Sequence, residues 1–338
     1  MGGDYAPEIV VKGARLARLR YPDARFLFFG DEARITPYLK ADAALASRST
    51  VHHTDQVVTG DAKPSQVIRS GRQTSMWKAI EAVKNGEAAG VVSAGNTGAL
   101  MAMAKLIMRP LPGIDRPAIC GLFPTKLGET TLLDLGANTQ CDARNLVEFA
   151  VMGECFARAI LGMERPSVGL LNIGTEEAKG TDMLRQANLI LRSSHLDIEY
   201  KGFIEGNDIA KGTVDVVVTD GFTGNVALKT AEGTAKMFSG FLKNAIKSSI
   251  LAQLGRLLAK PVIAQVMART DPRRYNGALF VGLNGVVVKS HGGTDSVGFA
   301  NAIGVAVDMI ARDLNAQIAE QLAHIAAQEV VLAEVANE

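Results

Sequence analysis

Lys179 lies in Thr175-Glu176-Glu177-Ala178-Lys179-Gly180, just past an aliphatic run at 168–172. A lysine in a glycine-flanked turn at a strand end can neutralise phosphate or a developing oxyanion; a solvated loop lysine has the same local sequence. Asn225 follows Thr223-Gly224 at the head of a helix-forming stretch, where its amide could donate to a carbonyl oxygen or cap the helix. Asp220 opens the same turn and could orient Lys179 or Asn225, or hold the turn itself. These three are the catalytic candidates. Ser93, Asn96, Thr97 and Gly98 stand where a strand passes into a helix, and amides at a helix N-terminus favour an anion. Asn138 ends Asp134-Leu135-Gly136-Ala137-Asn138, and His291 sits in Lys289-Ser290-His291-Gly292-Gly293. Those six residues form the candidate phosphate site, with Lys289 and the Gly3-Asp4 turn behind them.

Other chemistries lack their residues. The sequence contains no G-x-x-x-x-G-K-[ST], no G-x-G-x-x-G after the first strand and no G-x-S-x-G. His52 and His53 read as edge residues of a strand-like patch. Three cysteines, Cys120, Cys141 and Cys155, without C-x-x-C spacing, point to a reducing cytoplasm and to neither a disulfide framework nor a zinc site. No cofactor and no metal are expected. Asp134, Asp142 and Asp220 could converge on Mg²⁺, as a decarboxylating dehydrogenase would need, but no nucleotide fingerprint accompanies them.

The elements that must position these residues alternate along the chain. Helical spacing runs from Pro7 towards Pro22, and a buried strand is expected at 24–30. Thr74–Lys84 reads as a helix stopped by Asn85-Gly86. Strands follow at 89–93, 117–123, 130–135, 168–172 and 214–219, with helices from Thr97 and near 145–159, 182–192 and 226–246. Apolar runs at 278–288 and a helix at 297–314 complete the rhythm of a largely parallel sheet covered on both faces. In such sheets, ligands gather at the C-terminal strand ends, so five polar glycine-rich loops are expected to share one edge and form a composite anion site. The 338 residues are 47% hydrophobic and 21% charged, the balance of a folded soluble protein. A net charge of +1 offers no field to recruit nucleic acid.

Two segments break the rhythm. Met1-Gly2-Gly3-Asp4 opens on a turn with no strand to feed it and with no secretory signal. Gly233–Thr270 carries Lys236, Lys243, Lys247, Arg256, Lys260 and Arg269 and no acidic residue. Leucines recur there at helical spacing, and Leu251, Leu254, Leu257, Leu258 and Val262 are expected to form a tip lying against anionic lipid. The same stripe could serve as a dimer interface, and no run is long and apolar enough to span a bilayer.

The opening MGGDYAP resembles that of the bacterial phosphate acyltransferases, the PlsX family. The likeness extends through SAGNTGALM (93–101), LLDLGAN (132–138), NIGTEEAKG (172–180) and FIEGNDI (203–209). It continues in DVVVTDGFTGNVALKTAEG (215–233) and YNGALFVGLNGVVVKSHG (275–292), covering about residues 1–312. The resemblance implies an enzyme that moves a fatty acyl group from acyl carrier protein to inorganic phosphate. Members normally have a short apolar strand leading into MGGD, absent here. The implied fold is α/β/α, as in isopropylmalate and isocitrate dehydrogenases and phosphotransacetylases. Residues 1–315 then read as one domain with a helical protrusion at about 233–272, and 316–338 as a helical tail. A homodimer is implied, cytoplasmic and peripherally attached to the inner face of the cell membrane, where a membrane-embedded glycerol-3-phosphate acyltransferase takes the product. Phosphate is already an anionic nucleophile and thiolate leaves readily, so positioning and oxyanion stabilisation are the tasks left. A coenzyme A-dependent phosphotransacylase is the nearest alternative, and a non-catalytic membrane scaffold a remoter one.

Overall fold

The computed structural model describes residues 1–323 except His195, Asp197 and Thr270; the side chains of Ile250, Leu251, Leu254 and Arg269 also lie outside the described set. The N-terminal part runs α1 (Glu8–Arg20), β1 (Phe26–Gly30), α2 (Glu32–Lys40), α3 (Ala43–Ala46), β2 (Ser49–His53) and α4 (Pro64–Ser70). Next come α5 (Ser75–Lys84), β3 (Gly90–Ser93), α6 (Thr97–Met108), β4 (Ala118–Pro124), β5 (Glu129–Leu133) and α7 (Ala143–Leu161). The chain continues through β6 (Ser167–Leu171), α8 (Asp182–Ser193), β7 (Glu199–Ile204), α9 (Gly206–Lys211) and β8 (Val216–Val218). It ends in α10 (Gly221–Lys247), α11 (Ile250–Leu258), α12 (Lys260–Arg269), β9 (Ala278–Val281), β10 (Val286–Lys289) and α13 (Ser296–Ala311). The fold is α/β, with helices on both faces of a central sheet.

That sheet has eight strands in the order β3-β10-β9-β4-β5-β8-β6-β7, and β1 and β2 form a separate parallel pair. One row of side chains crosses six strands, Val288, Leu279, Cys120, Leu133, Val218 and Leu170, and all six are buried in the core under α7. Helix α7 enters through a capping box of Asp142 and Asn145 and leaves through left-handed Gly162. It is buried on almost every side, because α8 and α13 contribute Ala187, Leu191, Ala302 and Ala306 to the same core. On the opposite face, α5 and α6 cover Val91, Val287, Phe280 and Ile119, while Leu132, Leu171 and Val217 meet Ile209 and Ala227.

The sheet corrects one expectation. The pairs β10–β9, β9–β4 and β4–β5 are antiparallel, and the others in the eight-stranded sheet are parallel. Three reversals turn β3 and β10 against β5, β8 and β6. The loops after β5, β8 and β6 therefore leave one end of the sheet, and those after β3 and β10 leave the other. The five loops do not share an edge. The apolar runs at 278–288 are two strands of one hairpin, turned at Gly282 (φ 89°).

Strands β1 and β3 border a cleft of about 1330 Å³, lined also by Val11, Phe299 and Ile303. Met1 lies at its mouth, where its buried amino group donates to the Phe29 carbonyl at 2.6 Å. Helix α10 is 27 residues long yet buries only Gly221 and Gly224; Met237, Phe238, Phe241 and Leu242 are exposed along it. Leu257, Leu258 and Val262 are exposed on α11 and α12. Among the described residues, no helix is long and apolar enough to cross a membrane. Residues 314–323 are helical and bury Leu314, Ile318 and Leu322; the rest of the expected tail, 324–338, lies outside the described residues.

Candidate active site

The turn after β5 closes on its own side chain. Asp134 is fully buried and accepts from the amides of Ile119, Gly136, Ala137 and Asn138 at 2.7–3.1 Å, and from the Asn138 side chain at 3.0 Å. Burial raises its pKa, and the backbone amides oppose that shift. Every described hydrogen-bond partner of the carboxylate is a donor, so the turn solvates an internal acid group rather than an external anion. The second donor contact of Asn138 goes to the Pro117 carbonyl at 2.9 Å, so both hydrogens of this candidate phosphate ligand are engaged. Helix α10 starts against the same turn: a Cβ on Gly224 would lie 2.0 Å from the Asp134 carbonyl oxygen, so only glycine permits the contact.

The catalytic candidates are distributed along that end of the sheet. Asp220 caps α10, accepting from the Thr223 amide at 2.9 Å and hydroxyl at 2.7 Å. It therefore holds its own turn, and no hydrogen bond or ion pair described joins it to Lys179 or Asn225. Asn225 sits one turn into α10; a methyl on Gly136 would lie 3.4 Å from the Asn225 Cβ. Asn225 is exposed and takes no part in the cap. Lys179 is exposed and pairs with Glu176 at 2.8 Å, a bond that raises the lysine pKa and lowers that of the glutamate. The base of its loop is closed by Asn172, which donates to the Lys179 carbonyl at 3.2 Å.

The other candidates cluster at the opposite end. Asn96 caps α6 by accepting from the Ala99 amide at 2.9 Å, and its amide donates to the Gly60 carbonyl at 2.8 Å and the Ala62 carbonyl at 3.3 Å. Its side chain, like that of Asn138, is engaged within the fold. Thr97 and Gly98 are exposed in the first turn of α6, and the Ser93 hydroxyl accepts from the Gly95 amide at 3.2 Å. The Gly3-Asp4 turn joins this cluster, with the Asp4 amide donating to the Gly292 carbonyl at 3.0 Å. Exposed His291 accepts from the Gly293 amide at Nδ1 (3.2 Å), which leaves Nε2 to carry the proton of the neutral ring.

Sequence reasoning gave no role to Asn276 and Lys229. Buried Asn276 ties the turn down, donating to the Ser290 hydroxyl at 2.8 Å and the Gly298 carbonyl at 2.7 Å and accepting from the His291 amide at 2.8 Å. Lys229 lies four residues after Asn225 and thus on the same edge of α10. The register places Lys289 in the sheet row that continues through Ala278, Gly121 and Leu132. Burial draws the Lys289 pKa down to about 8; the Asp4 charge raises it and the Lys229 charge lowers it further. Leu135 packs over Gly121 in this row, where an added methyl would lie 3.0 Å from its Cδ1, and joins the apolar clusters under α6 and α10. Asp134, Asp142 and Asp220, the carboxylates a divalent cation would need together, act separately as a turn centre and two helix caps.

A family model described as "Fatty acid synthesis protein" matches residues 1–317. The chain is 63% identical over 325 residues to a phosphate acyltransferase of Rhodospirillum rubrum, covering 96% of this chain and 93% of the relative. It is 60% identical over 330 residues to a phosphate acyltransferase of Paramagnetospirillum magneticum, covering 98% and 94%. Among solved structures, a phosphotransacetylase from Streptococcus pyogenes superposes with a TM-score of 0.63 at 17% identity, over 90% of this chain and 92% of that one. A branched-chain phosphotransacylase from Enterococcus faecalis V583 gives 0.53 at 14%, over 91% and 97%. These two likenesses show a shared fold.

Proposed function

The chain belongs to the fatty acid synthesis protein family and is an acyltransferase; from that premise we propose that it transfers a fatty acyl group from acyl carrier protein to inorganic phosphate. The observation that carries this reading is that the Asn225 amide and the Lys179 ammonium are both exposed just beyond the ends of the neighbouring strands β8 and β6. Phosphate needs no strong base to attack a thioester, and the departing thiolate needs no strong acid. The carbonyl oxygen gains charge as the tetrahedral intermediate forms, and Asn225 is placed to donate to it. Lys179 adds positive charge from the neighbouring strand end once Glu176 releases it. Addition of a phosphate oxygen to the thioester carbon forms that intermediate, and its collapse reforms the carbonyl and breaks the C–S bond, giving acyl phosphate and the carrier thiolate.

The test offers the purified protein acyl-carrier-protein and acyl-coenzyme A thioesters in separate reactions with phosphate, following thiol release and acyl phosphate together. Acyl phosphate from the carrier thioester, with at least ~10-fold lower kcat/KM for the coenzyme A donor, is the expected result. The reverse preference would make the chain a coenzyme A-dependent phosphotransacylase.

The exposed apolar stripe of α10 with the basic, acid-free segment beyond it favours two further parts of this reading. The α10 stems pair in a homodimer, and Leu257, Leu258 and Val262 rest on anionic lipid. The protein then works at the membrane surface, where a membrane-embedded acyltransferase consumes the acyl phosphate. Leu258→Glu with Val262→Glu should abolish flotation with anionic liposomes and leave the dimer intact by gel filtration. Unchanged flotation would remove the lipid role, and loss of the dimer would assign the tip to the subunit interface.

A further inference from the structure

Helix α8 carries a cation at the end where the helix dipole disfavours one. Arg185 closes its first turn, four residues after the cap Thr181. The side chain is half-buried and turns back towards the N-terminus, as helical side chains do. There its Nη1 donates to the Gly180 carbonyl at 2.6 Å and to the Ala178 carbonyl at 3.4 Å. Asp182, three residues earlier, pairs with its Nη2 and aims the guanidinium. Carbonyl oxygens and a carboxylate are what make a cation favourable at this place.

The two carbonyls that Arg185 holds flank Lys179. The carbonyl between them, that of Lys179 itself, accepts from the Asn172 side chain at 3.2 Å. Asn172 is buried, and its Oδ1 accepts from the Ile173 amide at 2.8 Å, so one side chain ties the start of the loop to its end. Three successive carbonyls are thus held, from the end of β6 and from α8. The fit is close at Gly180, which has φ 88° and where a Cβ would overlap the Asn172 Oδ1. On the outer side the Lys179 side chain passes over buried Gly174, where a Cβ would lie 3.0 Å from the lysine Nζ. Glu176 reaches over the same glycine and pairs with the ammonium at 2.8 Å. Residues 175–179 are exposed, and an exposed ion pair alone holds a lysine weakly. The bonds to the backbone are the firmer constraint.

We propose that Arg185 is a positioning residue for Lys179: it fixes the carbonyls on either side of that lysine, Asn172 fixes the one between, and together they set where the ammonium stands. The assignment rests on the acyl-transfer reading above, in which Lys179 supplies positive charge to the reacting group. A cation whose backbone is fixed before the substrate arrives needs little reorganisation as charge develops. Exchange of Glu176 for an anionic substrate then moves the end of the lysine side chain and leaves the loop in place.

A double-mutant cycle on acyl phosphate formation by the full chain tests this. Arg185→Met should lower kcat by about tenfold or more, with the KM for the thioester within about twofold of wild type. In a Lys179→Ala background the same change should cost nothing further, because a residue that acts through Lys179 has nothing left to position. Arg185→Lys, a cation of different donor geometry, should recover part of the loss. An unchanged kcat in Arg185→Met, or an equal loss in both backgrounds, overturns the assignment. If Arg185→Met fails to fold, Arg185→Lys takes its place in the cycle. Amide hydrogen exchange over residues 173–180 reads the clamp without turnover, and it should quicken about tenfold or more in the variant. The two readings fail separately. Acyl phosphate made by the wild type, with exchange unchanged in the variant, refutes the clamp alone. Faster exchange in the variant, with no acyl phosphate made by the wild type, refutes the acyl-transfer reading alone.

Discussion

The turn at 134–138 and the turn at 289–293 are composed alike, each mixing glycine with polar side chains at the end of a strand, and they use their hydrogen bonds in opposite ways. In the first, four backbone amides and a side-chain amide converge on buried Asp134. In the second, Asn276 fixes the backbone from behind and the charged Lys289 is left half-buried without an ion pair among those described. A turn whose donors meet an internal acceptor is scaffold. A turn held by outside groups leaves its own charge without a counter-ion among the described ion pairs. The difference lies in which partner satisfies the turn, and composition does not disclose it.

The largest effect should come from the scaffold turn. Asp134→Ala leaves four amide donors facing a vacated buried site, and at ~1–3 kcal/mol for each unsatisfied donor the loss of stability should reach at least ~4 kcal/mol. Urea unfolding measures it, and a loss below ~1 kcal/mol would mean the turn does not depend on this carboxylate. Lys289→Met should do the contrary and leave stability at pH 7 unchanged or improved. The sign follows from its lowered pKa. Below pH 8 folded and unfolded chains both hold the proton, and burial of the charge costs its full amount. Between pH 8 and the ordinary value of 10.5 the unfolded chain binds more protons, so wild-type stability gains from rising pH. The variant should lack that gain in melting curves taken from pH 7 to 10.5; a parallel pH dependence in both proteins would contradict it. The smallest effect belongs to Asp220→Ala, a lost helix cap worth ~1 kcal/mol with turnover essentially kept. A collapse of turnover at unchanged stability would return Asp220 to the catalytic group.

Much of the fold was legible because it depends on local pattern. The helix at 75–84 carries its own start in Thr74 and its own stop in Asn85-Gly86, and both act as caps in the structure. Helix α2 escaped notice because Pro37 interrupts its period, and α4 and α9 are too short to show one. The direction of β3 and β10 relative to β5 was not legible, because β4 pairs with β9 and β3 with β10 across residues distant in sequence, and each antiparallel contact reverses all that follows. Among site residues, Asn225 is exposed at the head of α10, while Asn96 and Asn138 turn inward towards carbonyls supplied by remote segments.

The decisive measurement is turnover of the acyl-carrier-protein thioester with inorganic phosphate, followed by phosphorus NMR, in wild type, Asn225→Ala and Lys179→Ala. Wild type should yield acyl phosphate in step with free thiol. Both variants should melt with the wild type and lose at least ~100-fold in turnover, the scale of removing one electrostatic stabiliser of a transition state. Thiol released without acyl phosphate, or folded variants that keep wild-type turnover, would contradict the assignment.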